Sequence, residues 1–324
     1  MEWSMNFKTI TTRLLNILKQ TGLLFKDSFL SWSDRQPFRS SAVISYYAIF
    51  SLPGILVIII NLAGYFLGEG AVAKEISTQI SGMIGPKTAE TVERIIANVY
   101  MTEAFTLSSI ISVVVLFFGA TGLFYHVQIS LHSLWKVKPK PKRIFLKYLK
   151  DRFFAFLLML GFGFLLPISL IFSSVLSATK SWITTNLFKE LEPLFYYIDL
   201  GISLGLITIL FGAIYVILPD ARVRWRDTWP GAFLASILFM IAKFALGLYF
   251  AYSNPGSTYG AAGSIILLML WTNYNALILL YGAEFTRLFA ERFGQKIISV
   301  EDINRNKDTK DVKADIGDAR TKQE

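Results

Sequence analysis

The sequence predicts an all-α, polytopic membrane protein with six transmembrane helices, an N-terminal amphipathic helix and an external helical hairpin. Three observations lead to this prediction: the apolar composition, six long apolar stretches, and the uneven placement of basic residues between those stretches. Hydrophobic residues make up 53% of the 324 residues, and the mean hydropathy is +0.49. Such a chain is too apolar for an ordinary water-soluble protein of 36.6 kDa.

Each of the six apolar stretches is at least as long as the roughly 20 residues that a helix needs to cross the bilayer core. Two side chains that are charged at neutral pH lie inside them, Asp199 at the edge of the fourth and Lys243 well within the fifth. The stretches are apolar all round, whereas a surface helix of a soluble protein has one polar face. We therefore predict six transmembrane helices over residues 41–67, 105–131, 153–178, 198–218, 230–252 and 261–283.

The basic residues outside these stretches predict the orientation of the chain. Of the 32 lysines and arginines, 26 lie in alternate segments that include both termini, and five lie in the segments between. Because short basic loops stay in the cytoplasm, both termini are predicted to be cytoplasmic and 68–104 and 179–197 to face outward. We assign the net charge of +9 to contact with anionic lipid headgroups on the inner face, and expect no nucleic acid partner.

The segments around the membrane domain, 41–286, have patterns of their own. In the cytoplasmic lead, 1–40, apolar residues recur at helical spacing among basic ones, which predicts an amphipathic helix along the membrane interface. In 68–104, two amphipathic patterns are separated by Gly85-Pro86, which predicts the external hairpin. The cytoplasmic tail, 287–324, is highly charged and is predicted to be disordered.

The polar residues of the chain argue against several classes of enzyme. It has no cysteine, which excludes disulfides, thiolate metal sites and cysteine nucleophiles. Its two histidines, His126 and His132, are six residues apart and point about 240° apart on one helix, so they cannot chelate one metal. No phosphate-binding loop or metal-binding motif occurs. We expect no catalytic residue, no metal and no cofactor.

Several motifs resemble the YihY/BrkB family of bacterial inner-membrane proteins. They are SYYAIFSLP from Ser45, YGAAGS from Tyr259 with Trp271 after it, GAEF from Gly282, and LPD from Leu218 followed by WPGA from Trp229. The resemblance covers roughly residues 30–295, and Asp220 departs from the asparagine that is more common in the family. It implies a six-helix architecture in the bacterial inner membrane. Members have been labelled virulence factors and, historically, ribonuclease BN.

The ribonuclease label conflicts with the residues that this chain contains. Hydrolysis of RNA needs a metal-bound water or an acid–base pair on a surface that admits a polyanion. The two histidines do not supply such a set. We therefore expect the chain not to cleave RNA.

Lys243 is the central residue of the candidate site. A cation deep in the bilayer costs about 2.5–3.5 kcal/mol on translocon scales, so it is expected to face the bundle interior or a wet cavity. Two interpretations stay open: a structural lysine that snorkels or forms internal hydrogen bonds, and a cation that faces an anionic headgroup in an outward-accessible cavity. Asn61, Asn273 and Asp199 are the other candidate residues of that cavity, by their depth in the predicted helices.

Two further pairs have structural roles in the prediction. Pro53-Gly54 lies inside the first span, where proline removes a backbone hydrogen bond, so a kink or break is expected. Glu284 and Arg287 lie at the cytoplasmic end of the sixth span and are expected to form a structural ion pair.

The preferred function is that of a non-enzymatic, transporter-like inner-membrane protein that handles a lipid or another amphipathic envelope molecule. Membrane lipids are its expected partners. The alternative is a membrane scaffold for envelope assembly, which would dock other envelope proteins through the hairpin 68–104. The sequence does not predict an oligomeric state.

Overall fold

The computed structural model describes residues 19–84, 86–100, 122–137, 192–253 and 262–299, and these residues are nearly all helical. The predicted span 153–178 and most of 105–131 lie outside the described residues. Within the described ranges the helices are α1 (19–33), α2 (Pro37–Leu67), α3 (Glu69–Ile84), α4 (Pro86–Tyr100), α5 (122–135), α6 (Glu192–Ile217), α7 (Trp225–Ser253) and α8 (Gly263–Phe293). Two short strands, β1 (Ala221–Arg222) and β2 (Ile298–Ser299), pair antiparallel.

Three helices of the described part are long and apolar enough to cross a membrane, namely α6, α7 and α8. They contain most of the predicted spans 198–218, 230–252 and 261–283. Helix α7 begins at Trp225, five residues before the predicted span, and includes Pro230 in its second turn. Helix α8 continues past residue 283 through charged residues that are paired with one another.

Helix α2 contains the first predicted span. It begins at Pro37, a residue that favours the first turn of a helix, after Gln36 in the left-handed region with φ of 53°. It then runs for 31 residues through Pro53 without interruption, so the break considered for Pro53-Gly54 does not occur.

The centre of the fold is an apolar core formed mainly by α5, α6, α7 and α8, with Trp32 of α1 and Ile44 of α2. Helices α7 and α8 cross at Gly231 and Gly282, where their backbones approach closely. A Cβ on Gly282 would lie 2.9 Å from the carbonyl oxygen of Gly231 and 2.7 Å from Cβ of Ala235. Small residues at such a crossing permit the close packing that holds helices together in lipid. The buried Tyr215 of α6 adds a hydrogen bond from its hydroxyl to the carbonyl of Leu279, at 2.8 Å.

A second apolar cluster joins α3 and α4 to α2 and α8. Its buried members include Ile60, Val72, Val92 and Leu267. Ser77 of α3 donates a hydrogen bond to Glu93 of α4, and the two helices pack against each other. The apolar faces predicted for this helix pair are therefore used inside the protein. Six described polar side chains of the pair are exposed: Lys74, Thr78, Gln79, Glu90, Glu93 and Arg94.

The segment after α8 is ordered as far as Ser299. Gln295 donates its backbone N–H to the carboxylate of Asp227 at 3.3 Å, Ile297 is buried in the central core, and β2 pairs with β1. The disorder predicted for the tail 287–324 is therefore wrong for residues 287–299, because these contacts bind them to the start of α7.

Candidate functional site

Lys243 lies on the exposed side of α7, beside Phe244, which is 70% exposed. The buried side of α7 is formed by Ala232, Ala235 and Ser236. Lys243 follows Ala232 by 11 residues, which brings it back to within about 20° of Ala232 around the helix, so the face of α7 that is buried at Ala232 is exposed at the level of Lys243. Within the described part of the chain, Lys243 forms no ion pair. Whether it faces the interior of the bundle or a wet cavity stays a prediction, because the span 153–178 and most of the span 105–131 lie outside the described residues.

Asn273 connects α8 to the start of α2. Its Nδ2 donates to Oγ of Ser41 at 3.0 Å, and Ser41 is fully buried. Asn61 lies 20 residues after Ser41 on the same helix, which corresponds to about 30 Å of rise. The structure therefore does not bring Asn61 and Asn273 together. The side chains of Asn61 and Asp199 lie outside those that the structure describes.

A buried polar network surrounds Glu284 on α8. The Glu284 side chain is 0% exposed, and Nη2 of Arg287 lies 2.6 Å from its Oε1. Ser31 of α1 donates a hydrogen bond to the same oxygen, and Nε of Arg35 lies 3.6 Å from it. Arg287 also pairs with Glu291 at 2.6 Å. A buried carboxylate is costly unless it is paired and hydrogen-bonded, and this network meets both requirements.

The sequence predicted the pair of Glu284 and Arg287 but not its contacts with Ser31 and Arg35. Ser31 lies on α1 and Arg35 in the turn between α1 and α2, so no spacing within one helix indicates their role. Helix α1 is also held on α8 by an ion pair between Asp27 and Arg292. Aromatic rings complete the contact, with Trp32 5.8 Å from Tyr281.

The two histidines of α5 both contact neighbouring elements. His132 accepts a hydrogen bond at Nε2 from the backbone N–H of Asp220, at 2.9 Å, so this nitrogen carries no proton in that arrangement. His126 stacks on Tyr47 of α2 with ring centroids 4.0 Å apart. In the part of the chain that the structure describes, no group of three or more His, Asp or Glu side chains is placed to hold a metal.

An open groove lies between α6 and α7. It has a volume of about 480 Å³, and its lining is almost entirely apolar. On α6 the lining residues recur at spacings of three, four and seven residues, so they share one face of that helix. The lining consists of Gly201, Leu204, Gly205 and Thr208 of α6 and Trp229, Pro230 and Phe233 of α7.

Two glycines give the groove its depth. A Cβ on Gly201 or Gly205 would have no other atom within 4 Å, so a larger side chain at either position would occupy open space. The hydroxyl of Thr208 donates to the carbonyl of Leu204 at 2.7 Å, so its polar group is already bonded within α6. The sequence analysis missed this groove, because glycines in an apolar helix also occur wherever two helices pack closely.

Exposed arginines lie at one end of the groove. Arg222, Arg224 and Arg226 belong to the connection between α6 and α7 and to the first turn of α7. Arg226 precedes Trp229 by three residues and Phe233 by seven, so it lies on the side of α7 that lines the groove. Arg226 therefore adds a positive charge beside this end of the groove, and Arg222 and Arg224 precede it by four and two residues in the chain.

Comparison with known proteins places these elements in a family. A model described as virulence factor BrkB matches residues 28–302. The chain belongs to the virulence factor BrkB family. This family match includes the groove, the arginines beside it and the network around Glu284.

Its relatives in this family include proteins named UPF0761 membrane protein. The one from Saccharophagus degradans is 26% identical over 278 residues, which is 84% of this chain and 60% of the relative. The one from Tolumonas auensis is 26% identical over 264 residues, which is 80% of this chain and 82% of the relative. A Bacillus subtilis relative named putative ribonuclease-like protein YfkH is 33% identical over 93 residues, 28% of this chain and 34% of the relative. No solved structure matches the chain.

Proposed function

We propose that this BrkB-family member is a six-helix, transporter-like protein of the bacterial inner membrane that handles a lipid or another amphipathic envelope molecule without acting as an enzyme. Both termini are cytoplasmic in this proposal, and membrane lipids are its partners. The observation that carries the proposal is the open, apolar groove between two helices that can each span a membrane.

The size and lining of the groove suit an elongated apolar ligand. Ligand sites in proteins commonly enclose about 300–1,000 Å³ and are mainly apolar with a few polar groups, and the groove of about 480 Å³ falls within that range. Since α6 and α7 are candidate membrane spans, the molecule with the best access to this surface is a lipid.

In this proposal Lys243 keeps its functional interpretation, a cation that faces an anionic headgroup, and its exposure on α7 is compatible with that role. Lys243 lies 14 residues after Trp229, which places the two about 40° apart around α7. It also lies 17 residues after Arg226, about 25 Å along the helix axis. The exposed surface of α7 therefore carries a cation near each end, with the two cations about 100° apart around the helix. A headgroup at either level would meet a positive charge.

The scaffold alternative has less support among the described residues. A docking surface on α3 and α4 would need an exposed apolar patch, whereas their described apolar side chains pack on α2 and α8. The ribonuclease-like name of the YfkH relative also finds little support here. His126 and His132 are both engaged in contacts between structural elements, and no group of three or more His, Asp or Glu side chains among the described residues is placed to hold a metal.

Filling the groove tests the proposal. Gly205→Leu places a large side chain in open space and should slow lipid exchange between proteoliposomes without lowering thermal stability. Gly247→Leu is the matched control, because a Cβ on Gly247 of α7 also meets no atom within 4 Å and this residue does not line the groove. The measurement is the transfer rate of a fluorescent phospholipid, together with the amount of co-purified lipid. Equal rates for the two variants and the unchanged protein would remove the groove from the function.

A further inference from the structure

We infer that the groove selects an anionic glycerophospholipid, with the phosphate on Arg226 and its neighbours Arg222 and Arg224 and one acyl chain between α6 and α7. This inference rests on the proposed function and names the ligand class of the same groove. Its occupant is a single lipid of the surrounding bilayer, because the groove opens on the surface of two candidate membrane spans.

The apolar part of the groove gives fit but little selectivity. An acyl chain that leaves the bilayer for the groove moves between two apolar surroundings, so there is no hydrophobic gain of the kind that drives burial from water. Shape and van der Waals contact with Leu204, Trp229 and Phe233 can retain a chain but do not distinguish headgroups. Selection among lipids must therefore come from polar groups at the end of the groove.

Arg226 is positioned to supply that selection. It lies about 4.5 Å before Trp229 and about 10 Å before Phe233 along the axis of α7, on the same side of the helix. An arginine extends its guanidinium group beyond its apolar stem, so the charge can reach the headgroup level while the stem continues the groove wall. Trp229, at the end of the groove next to Arg226, is the residue type that favours the interface between membrane and water.

Neither acidic residue of this segment, Asp220 or Asp227, lines the groove. Asp227 is buried, and its carboxylate accepts a hydrogen bond from the backbone N–H of Gln295. A Cβ added to Gly294 would lie 2.5 Å from this carboxylate. Asp220 lies with its Oδ2 3.6 Å from Nε2 of His132. By contrast, the three arginines are exposed and form no ion pair among the residues that the structure describes.

Arginine is well suited to a phosphate ligand. Its planar guanidinium group donates two parallel hydrogen bonds to phosphate oxygens, and it keeps its charge at all physiological pH values. A basic residue near an anionic lipid surface contributes about a fivefold increase in binding. Three of them should produce a clear preference for anionic over zwitterionic lipid, and that preference should weaken at high salt.

The test measures headgroup preference directly. The protein is placed in nanodiscs of equal parts phosphatidylglycerol and phosphatidylcholine, and native mass spectrometry determines which lipid stays bound. We expect phosphatidylglycerol to be enriched on the unchanged protein. Arg226→Gln should lower the enrichment about fivefold, and Arg222→Gln/Arg224→Gln/Arg226→Gln should abolish it. Arg226→Lys should retain part of it. Arg94→Gln, an exposed arginine of α4, is the matched control and should change nothing.

The outcomes separate this inference from the proposed function. Bound lipid without a headgroup preference, or an enrichment that survives in the triple variant, would overturn the anionic-lipid inference and leave lipid handling in place. If neither the unchanged protein nor Arg94→Gln retains any lipid or transfers one between vesicles, both the inference and the proposed function fail.

Discussion

Glu284 and Arg287 form an ion pair of 2.6 Å one turn apart on α8, and neither side chain is exposed by more than 8%. The same carboxylate is approached by Ser31 and Arg35, so it joins the last turns of α8 to the helix that precedes α2. Helix α1 is therefore held on α8 by a buried charged network as well as by apolar contact.

We predict that Glu284→Gln strongly destabilises the protein. The substitution leaves the buried Arg287 with only Glu291 as a carboxylate partner and removes the charge beside Arg35, and loss of one partner of a buried pair costs about 3–5 kcal/mol. The measurement is the thermal unfolding midpoint in a single detergent. Glu90→Gln is the control, because its partner Arg94 is exposed and the pair contributes little.

The double variant Glu284→Gln/Arg287→Met checks the reason for that loss. Removing both charges leaves fewer unpaired groups, so this variant should be more stable than Glu284→Gln alone. A double variant less stable than the single one would show that unpaired buried charge does not cause the destabilisation of Glu284→Gln.

We also predict that the crossing of α7 and α8 does not tolerate a methyl group. Gly282→Ala would place Cβ 2.5 Å from the hydroxyl oxygen of Tyr215 and 2.9 Å from the carbonyl oxygen of Gly231. Overpacking of this kind costs about 1–3 kcal/mol, and it would also disturb the hydrogen bond from Tyr215 to Leu279. A lower thermal midpoint for Gly282→Ala, with Gly247→Ala unchanged, is the expected result. An unaffected Gly282→Ala would mean that the two helices can move apart at no cost.

The orientation is tested by single cysteines in this cysteine-free chain. A cysteine at Ser81 or Thr185 should react with a membrane-impermeant thiol reagent in intact spheroplasts, because positive loops stay inside and these positions lie in the other segments. A cysteine at Ser133 or Thr309 should react only after the membrane is permeabilised. Labelling of this second pair in intact spheroplasts would reverse the topology.

Local patterns predicted some parts of this fold better than others. The helices α6, α7 and α8 follow from apolar runs that can be read from the sequence, and the pair of Glu284 and Arg287 follows from their spacing of three residues on one helix. The contacts of Ser31 and Arg35 with Glu284 span about 250 residues, and no local pattern encodes which helix will meet which.

The candidate site shows the same limit. Depth along each predicted helix grouped Asn61 with Asn273, but depth gives no information on rotation or on neighbours, and Asn273 contacts Ser41 instead. The groove exists because Gly201 and Gly205 of α6 have no side chains to fill the space beside α7. Which helix lies next to these glycines can be seen only in the packed structure.

The last prediction concerns Lys243→Met. Lys243 is exposed and has no ion-pair partner among the described residues, so its loss leaves no buried group unsatisfied. Methionine keeps much of the stem and removes a charge that is costly at membrane depth, so thermal stability should hold or rise slightly. If the lysine charge contacts a lipid headgroup during transfer, Lys243→Met should lower the transfer rate of phosphatidylglycerol, while lipid binding at Arg226 persists. Lys243→Arg should restore part of the rate, because arginine also binds phosphate. An unchanged transfer rate for Lys243→Met would instead show that this lysine lies on the lipid-facing surface and takes no part in lipid transfer.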